Sequence, residues 1–335
     1  SRREGTCMKI GILGATGAVG RQMLECIEEQ NLAVEELRLF SSPRSAGRVL
    51  SFRGEGITVQ VVDEHSFEGL DYVLGAVSNA LTKEYLPLIQ KAKAVLIDNS
   101  SAFRLQDDVP LVVPEINGED ALAHHGIISN PNCSTIIALM AIAPINRLSK
   151  IKHVNATTFQ AVSGAGVEGM RELREQILQL DKGEEVHPNV FPAQIAYNCI
   201  AQIGTYLDDG YTTEEVKMHN EGRKIMHAKD LQVNCTCVRV PVYRSHSISL
   251  TVETEQEVSL DAIRQAIKNF PGVELIEDHV PTPVEASNQD IVYVGRVRKD
   301  ISRENSISLW CCGDQIRKGA ASNAVSIMTY LEKSR

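Results

Sequence analysis

Short apolar runs alternate with stretches of helical periodicity along the first half of the chain. Residues 9–13 form an apolar run that is typical of a buried strand, and apolar residues follow at helical spacing as far as Ile27. Further strands are predicted at residues 36–40, 73–77 and 94–98, and a helix at residues 85–90. Because strands that alternate with helices favour a parallel sheet with right-handed crossovers, the first half predicts an α/β domain of the Rossmann type.

The pattern changes near residue 151. β-Branched residues and partial alternation predict strands at residues 152–162, 234–242, 247–254, 291–294 and 306–310. Helical spacing is found at residues 169–180 and 258–270. Strands grouped apart from helices favour an α+β domain with a mixed or antiparallel sheet.

Composition narrows the classes of function. The 335 residues suffice for two domains, and a net charge of −9 argues against nucleic acid or an anionic membrane as the partner. No apolar stretch reaches the roughly 20 residues that a membrane span needs. Residues 1–7 lack the apolar core of a signal peptide, so we interpret them as an extension or cloning remnant before Met8.

Eight cysteines lie at irregular spacings, which is typical of reduced thiols in a cytoplasmic protein rather than of a disulfide framework. The pairs at 235 and 237 and at 311 and 312 lack the accompanying C-x-x-C or H-x-x-x-H pattern. We therefore expect no metal site.

A glycine-rich turn joins the first strand to the first helix. Gly14, Thr16, Gly17, Ala18 and Val19 lie in it, although the spacing departs from G-x-G-x-x-G. In this context glycines let the backbone approach a pyrophosphate, whose charge the helix N-terminus favours. The turn predicts a dinucleotide site; the alternative is a merely tight turn.

The segment after the second strand bears on the choice of cofactor. It contains Ser41, Arg44, Ser45 and Arg48 and no carboxylate. A carboxylate at this place would bind the ribose hydroxyl of NAD, whereas arginine and serine suit the 2′-phosphate of NADP. We expect NADP; the alternative is a solvated basic loop.

Cys133 is the candidate nucleophile. It follows Pro131 and Asn132 and precedes a long apolar run that predicts a buried helix. The positive end of the helix dipole and its unpaired N–H groups favour a thiolate and would hold an oxyanion. The alternative, a buried structural cysteine, fits poorly with the polar flanking residues.

Three further groups could bind anions or move protons. Arg104 follows the carboxyl end of a predicted strand, where open α/β sheets bind ligands. Arg239 and His246 stand at the two ends of a short turn, so an arginine able to grip a carboxylate is paired with a histidine that titrates near neutral pH. Glu214 and Lys217 share a helix face, and spacing alone favours an ordinary surface ion pair.

These segments together resemble the aspartate-β-semialdehyde dehydrogenase family, in its shorter, Gram-positive-type branch. The resemblance extends from Met8 to about Leu331. It is carried by residues 14–20, 44–47, 98–104, 113–115, 130–135, 160–166, 239–242 with 246–247, 281–284 and 317–321.

The resemblance implies a reversible, phosphate-dependent oxidation of L-aspartate 4-semialdehyde to L-4-aspartyl phosphate with NADP, in lysine, threonine, methionine and diaminopimelate biosynthesis. It implies a discontinuous cofactor domain, residues 8–128 plus 313–335, and a catalytic and dimerisation domain, residues 129–312. The last helix, residues 319–331, would return to the first domain. The partners implied are the substrate, inorganic phosphate and a second or further copies in a homodimer or homotetramer.

The family's residue roles carry over by position. Cys133 would be the nucleophile, His246 the general acid/base and Gln160 the residue that orients the substrate. Arg239 would hold the substrate carboxylate and Glu214 its amino group. The remaining roles are phosphate binding by Arg104, Lys217 and Asn132, and cofactor binding by Gly14, Thr16, Gly17, Ala18, Val19, Ser41, Arg44, Ser45, Ser163, Gly164 and Asn323.

The chain departs from the usual family pattern at four places. Ser245, after Arg244, replaces a glycine before the histidine, and residues 76–79, Gln315 and Ser322 differ from common forms. The nearest rival enzyme is N-acetyl-γ-glutamyl-phosphate reductase, which lacks the arrangement at 239–247. A non-catalytic NADP-binding regulator would explain the glycine turn but not the catalytic groups, and a cysteine hydrolase would not explain the loop at Arg44.

Overall fold

The computed structural model describes residues 7–335, so the greater part of the segment 1–7, interpreted above as an extension, lies outside the described residues. The strands are β1 (Met8–Leu13), β2 (Val34–Phe40), β3 (Val49–Phe52), β4 (Glu55–Gln60), β5 (Tyr72–Gly75), β6 (Val95–Asp98), β7 (Ile127–Ser129), β8 (Ile151–Gln160), β9 (Gln232–Arg239), β10 (His246–Thr254), β11 (Val273–Leu275), β12 (Val292–Lys299) and β13 (Ser306–Gly313). The α-helices are α1 (Ala18–Glu29), α2 (Asn79–Lys91), α3 (Pro114–Asn117), α4 (Cys133–Leu148), α5 (Gly166–Asp181), α6 (Glu215–Ile225), α7 (Leu260–Lys268), α8 (Pro283–Ala286) and α9 (Ser322–Lys333).

The chain divides into two compact units. The first runs to Pro131 and adds Ala320–Arg335, and the second is Asn132–Gly319. The first unit contains a seven-stranded sheet in the order β3-β4-β2-β1-β5-β6-β7, parallel except for the antiparallel pair β3–β4. The predicted α/β class with a parallel sheet is confirmed.

Helices cover both faces of this first sheet. Ile10 and Ile12 of β1 pack in one cluster with Ile27 of α1 and Met328 of α9. Leu13 points to the opposite face, in a cluster with Ile89 of α2. Because successive side chains of a strand alternate between faces, a strand covered on both sides is apolar throughout, which explains the run at residues 9–13.

The second unit is built on a six-stranded mixed sheet in the order β11-β12-β13-β10-β8-β9. The pairs β8–β9 and β11–β12 are parallel, and β10 is antiparallel to both β8 and β13. Helix α4 is buried along most of its length, from Ser134 to Ile145. The predicted α+β class of this half is confirmed.

Several element boundaries differ from the predictions. The strand predicted at 234–242 ends at Arg239, because the chain turns at Pro241, and the helix predicted at 319–331 begins as a π-turn, Arg317–Ala321, before α9. The sequence prediction also omitted four short strands, β3, β4, β7 and β11. β3 and β4 are largely exposed, and β7 and β11 have three residues each, too few for a recognisable period.

No helix among residues 7–335 is both long enough and apolar enough to cross a bilayer. The same residues contain no group of three or more histidine, cysteine, aspartate or glutamate side chains placed to hold a metal ion.

The packing of α9 generates a prediction about stability. Met328 is fully buried in the core of the first unit, so Met328→Ala should lower the free energy of unfolding by about 2–5 kcal/mol through lost burial and a cavity. Denaturant unfolding measures this. Lys333→Ala, on an exposed position of the same helix, is the control and should change stability by no more than about 0.5 kcal/mol. Equal stabilities would contradict the packing described.

Candidate active site

Strand register in the second unit brings three predicted residues to one edge of its sheet. Gln160 is the last residue of β8 and pairs with Arg239, the last residue of the parallel strand β9. His246 is the first residue of β10, which runs antiparallel to β8 with Ser247 opposite Phe159. The end of one strand and the start of its antiparallel neighbour meet at the same edge, so the three side chains converge without long loops.

Cys133 is the first residue of α4. Asn132 is its N-cap, and the Asn132 Oδ1 accepts a hydrogen bond from the Thr135 N–H at 3.1 Å. Since α4 is buried and apolar on all sides, packing fixes its position and direction. The half-buried thiol therefore sits at the positive end of a rigid helix, where a thiolate is favoured.

The His246 imidazole faces the thiol through Nε2, which lies 3.5 Å from Cys133 Sγ. On its other side, the Ala161 backbone N–H donates to His246 Nδ1 at 3.0 Å. A backbone N–H can only donate, so Nδ1 is unprotonated and the neutral ring carries its proton on Nε2. Complete burial, and secondly the charge of Arg239, hold the pKa of His246 well below its usual value of about 6.5. At neutral pH the ring thus presents an N–H donor to the sulfur.

Arg239 supplies the positive charge beside these groups. Its Nη1 donates to the Ala161 carbonyl at 2.8 Å, and its buried Nε has no hydrogen-bond partner among the described residues. Burial lowers the pKa of Arg239, although negative charge on Cys133 and Glu214 opposes this, and a guanidinium stays protonated. An unpaired buried donor is costly unless a ligand satisfies it, which suits a carboxylate.

Gly164 makes room for this arrangement. A Cβ at this position would lie 2.9 Å from Arg239 Nη1 and 3.3 Å from His246 Cε1, so a side chain here would displace the guanidinium. Gly164 and Ser163 belong to a 3₁₀ turn that follows β8, and the Ser163 N–H donates to the Tyr243 carbonyl at 3.1 Å. The turn thus ties the end of β8 to the segment that precedes β10.

Glu214 and Lys217 form a part of the same cluster. Their side chains are only 11% and 30% exposed, and Lys217 Nζ lies 3.2 Å from Glu214 Oε2. Asn132 Nδ2 donates to Glu214 Oε1 at 2.8 Å, and Gln160 Nε2 is 3.5 Å from the same oxygen. Burial by itself would raise the pKa of Glu214, but Lys217 and these donors outweigh it and lower the pKa. The expectation of an ordinary surface ion pair, based on spacing alone, was wrong.

Two positioning residues were not identified from the sequence. Thr158 Oγ1 donates to Gln160 Oε1 at 2.8 Å, which fixes the orientation of that amide. Glu221, buried on α6, accepts from the Asn132 N–H at 2.7 Å through Oε1. The sequence spacing of each residue was a usable signal. Thr158 precedes Gln160 by two residues and so shares its strand face, and Glu221 follows Lys217 by one helical turn and so shares its helix face.

The glycine turn of the first unit fits a dinucleotide. Gly14 has φ +75°, and a Cβ there would lie 2.2 Å from the Ala76 carbonyl oxygen, so only glycine is accommodated. Gly17 is the N-cap of α1, whose first residues are Ala18 and Val19, and as a glycine it has no side chain to cap the helix. Its N-terminal N–H groups are therefore available to a pyrophosphate.

The candidate 2′-phosphate residues follow β2 in the same unit. Ser41 Oγ lies 2.7 Å from Thr16 Oγ1, which joins the end of β2 to the glycine turn. Arg44 is exposed and makes no ion pair among the described residues, and Ser45 is half-buried beside it. An exposed arginine without an acidic partner is suited to a phosphate.

Arg104 and Asn323 are both buried in the first unit. Arg104 donates through Nε to the Asn130 carbonyl at 3.0 Å and through Nη2 to the Asn99 carbonyl at 2.9 Å. Asn323 Nδ2 donates to the Val112 carbonyl at 3.1 Å and to Asn130 Oδ1 at 2.6 Å. These bonds orient both side chains; their phosphate and cofactor roles stay predictions.

Known proteins match the chain over nearly its whole length. The family models described as "Semialdehyde dehydrogenase, NAD binding domain" and "Semialdehyde dehydrogenase, dimerisation domain" match residues 9–124 and 142–318. The aspartate-semialdehyde dehydrogenase of Synechocystis sp. is 45% identical over 97% of each chain, and that of Aquifex aeolicus is 46% identical over 97% of this chain and 98% of its own. The chain belongs to the aspartate-semialdehyde dehydrogenase family. The family resemblance given above is confirmed, and with it an oxidoreductase fold that binds a nicotinamide cofactor.

A solved structure agrees with the described fold. The crystal structure of aspartate semialdehyde dehydrogenase II from Vibrio cholerae superimposes with a TM-score of 0.95 at 42% identity, covering 98% of this chain and 99% of that one. A second structure of that enzyme, complexed with ASA, is 41% identical with the same TM-score and the same coverage of both chains.

Ser245, where family members usually carry glycine, has an unusual backbone. Its φ is +78°, a left-handed conformation that costs a non-glycine residue on the order of 1–2 kcal/mol. Ser245 is completely buried, and its N–H donates to Gln315 Oε1 at 2.8 Å. Two departures from the family pattern, Ser245 and Gln315, are therefore joined by a hydrogen bond.

The depressed pKa of His246 generates a prediction about pH. The unfolded chain binds a proton on this ring below about pH 6.5, whereas the folded protein does not, so stability falls as pH decreases through this value. His246→Gln should remove up to about 1.4 kcal/mol per pH unit from that slope. Urea unfolding between pH 7.5 and 5 measures the slope.

The matched control is His187→Gln, which removes an imidazole that is 80% exposed; the slope should fall more in His246→Gln than in this variant. A His246→Gln slope equal to that of the unsubstituted protein would show that the histidine gains its proton as easily in the folded state as in the unfolded state.

Proposed function

We propose that this protein is an NADP-dependent, phosphorylating aspartate-semialdehyde dehydrogenase. The reaction converts L-aspartate 4-semialdehyde, phosphate and NADP⁺ into L-4-aspartyl phosphate, NADPH and a proton, reversibly. One observation carries the proposal: Cys133 Sγ, at the N-terminus of a buried helix, lies 3.5 Å from the His246 Nε2 beside a buried arginine. An aldehyde needs such a soft nucleophile before it can lose hydride.

The Cys133 thiolate attacks the aldehyde carbon, and the carbonyl oxygen becomes an oxyanion. The His246 Nε2–H donates to this oxygen, together with N–H groups at the start of α4. A bound nicotinamide cofactor would supply the acceptor for the hydride that this carbon loses as the oxyanion collapses to a thioester on Cys133. A phosphate oxygen then displaces the Cys133 thiolate to form the acyl phosphate.

The hydrogen bond from Ala161 limits what His246 does in this scheme. The family resemblance implies a general acid/base, yet a neutral ring whose Nδ1 accepts from a backbone N–H has no lone pair on Nε2. We therefore assign His246 as a neutral hydrogen-bond donor to the oxyanion. No base is needed, because hydride leaves from the alkoxide form.

Substrate recognition is assigned to two charged residues that neighbour Gln160, Arg239 across the strand pair and Glu214 at 3.5 Å from its amide. The unpaired Nε of Arg239 suits the substrate carboxylate, and the negative charge of Glu214 suits its ammonium group. Gln160, held by Thr158, would orient the intermediate. The Vibrio cholerae relative crystallised with ASA supports this substrate.

Phosphate is assigned to Lys217 and Asn132 of the second unit, and the family resemblance adds Arg104. Lys217 Nζ and the Asn132 amide meet at Glu214, so a cation and a donor lie close to the substrate site. The role of Arg104 rests on the family resemblance. NADP as the cofactor rests on Arg44 and Ser45, and on the absence of any carboxylate at residues 41–48.

The family model for a dimerisation domain, matched at residues 142–318, supports a homodimer or homotetramer. None of the eight cysteines, all of which lie within residues 7–335, forms a disulfide with another described residue, and this supports a reducing, cytoplasmic location. The domain division predicted above, residues 8–128 plus 313–335 and residues 129–312, is retained as a proposal. Among the rivals, N-acetyl-γ-glutamyl-phosphate reductase and a non-catalytic regulator find no support in the relatives.

The deciding experiment measures NADPH formation from L-aspartate 4-semialdehyde with and without phosphate, with N-acetyl-glutamate semialdehyde as the competing substrate. Cys133→Ala should abolish turnover, whereas His246→Ala should keep a residual rate, about 10²–10³-fold lower, as expected for the loss of one oxyanion donor. The exposed Cys199→Ala is the matched control and should be fully active.

A direct test traps the thioester. Protein incubated with aldehyde and NADP⁺ but no phosphate should gain one acyl mass on Cys133 in mass spectrometry. An active Cys133→Ala variant, or acyl mass on another residue, would refute the assignment.

Cofactor choice generates a separate prediction. Arg44→Ala should raise the KM for NADP⁺ by about 10–100-fold, through loss of a charge-assisted contact to the 2′-phosphate, and leave the KM for NAD⁺ unchanged. Steady-state kinetics with both cofactors measure this. Arg48→Ala, four residues along the same loop, is the control; a larger effect there would move the phosphate contact away from Arg44.

A further inference from the structure

The backbone that leads into His246 is held on one side by a buried hydrogen bond to Gln315 and on the other by a part-buried hydrogen bond to Ser287. Ser245 has φ +78°, and glycine is the residue that adopts this conformation without strain. Its Oγ lies 2.9 Å from Ser287 Oγ, and Ser287 Oγ donates to the Pro283 carbonyl at 2.8 Å. Ser287 Oγ also lies 3.3 Å from the Arg244 carbonyl, so it joins the Ser245 hydroxyl to two backbone carbonyls.

The other side of Ser245 is bound through Gln315. The Ser245 N–H donates to Gln315 Oε1 at 2.8 Å, and Gln315 Nε2 donates to Ser163 Oγ. Ser163 lies two residues after Ala161, whose N–H holds the His246 Nδ1. The same network thus reaches the imidazole along the chain through Ser245 and across the sheet through the turn at Ala161 and Ser163.

Resting on the proposed function, we propose that Ser245 is a positioning residue for His246. The Ser245–Ser287 and Ser245–Gln315 bonds keep residue 245 in its left-handed conformation and hold the imidazole against Cys133. The Ser245 hydroxyl takes no part in a chemical step. Its hydrogen bond offsets the strain of a non-glycine residue at a position where the backbone requires positive φ.

If Ser245 positions His246, three substitutions should differ in their effect on kcat. Ser245→Ala keeps the strained backbone and loses the bond, so kcat should fall, roughly 5- to 50-fold, as a misplaced group predicts. Ser245→Gly loses the bond and the strain together, so it should retain at least about half of kcat. Ser287→Ala should resemble Ser245→Ala, yet it should have little further effect in the Ser245→Gly background.

The readouts distinguish positioning from a general loss of structure. The KM for the aldehyde should stay within about twofold, because Arg239 and Glu214 bind the substrate. The rate at which iodoacetamide alkylates Cys133 at pH 7 should fall in Ser245→Ala and recover in Ser245→Gly, since it reports the donor that faces the thiolate. Two controls should keep the kcat of the unsubstituted protein. Ser249→Ala removes an exposed hydroxyl from β10, the strand that begins at His246, and Lys93→Gly relieves a positive φ in the first unit.

Wild-type kcat and alkylation rate in Ser245→Ala would overturn the proposal, as would a Ser245→Gly variant as slow as Ser245→Ala. If Ser245→Ala fails to fold, Ser287→Ala decides by the same measurements. If the unsubstituted protein lacks dehydrogenase activity, the proposed function fails, while the alkylation rates still decide whether Ser245 positions His246.

Discussion

The burial of one helix, α4, is the constraint on which the candidate site depends. Its residues from Ser134 to Ile145 are packed on all sides, so the helix cannot rotate or slide without opening the core of the second unit. Its N-terminus delivers Cys133 to the sheet edge formed by Gln160, Arg239 and His246. The candidate nucleophile and the groups around it are therefore positioned by a buried helix and a sheet edge, and the loops between them only have to join these elements.

The burial of α4 also determines which charges act on the Cys133 sulfur. The chain carries a net charge of −9, yet the groups around the sulfur include a guanidinium, a neutral N–H donor and a helix N-terminus. Because water screens charges poorly in such a buried site, a few oriented donors and the guanidinium determine the electrostatic field at the sulfur more than the acidic surface does. Glu214 is the exception, and it is held charged by Lys217 and by amide donors.

Much of the fold and of the candidate site was predictable from the sequence, and the features that were missed were missed for physical reasons. Period and length identified both domain classes, because long strands and helices leave a clear pattern, whereas β7 and β11 have three residues each and leave none. Motifs identified Cys133, Arg239 and His246. Spacing misjudged Glu214 and Lys217, since burial comes from packing against residues far away in sequence. The Ala161 N–H was also beyond prediction, because every residue except proline has one and only geometry gives it a role.

Helix α6 has a wider consequence. Glu214 directly precedes it, and Lys217 and Glu221 follow at intervals of three and four residues along one face. One strip of side chains thus contains the carboxylate proposed to bind the substrate, its counter-ion Lys217 and the Glu221 carboxylate that holds the backbone next to Cys133. With Glu214 in its proposed role, substrate recognition and the position of the thiol are mechanically coupled, so an engineer who reshapes this strip to admit a different aldehyde also moves the loop that leads into Cys133. Substitutions made only around Arg239, at the end of β9, would change specificity without that coupling.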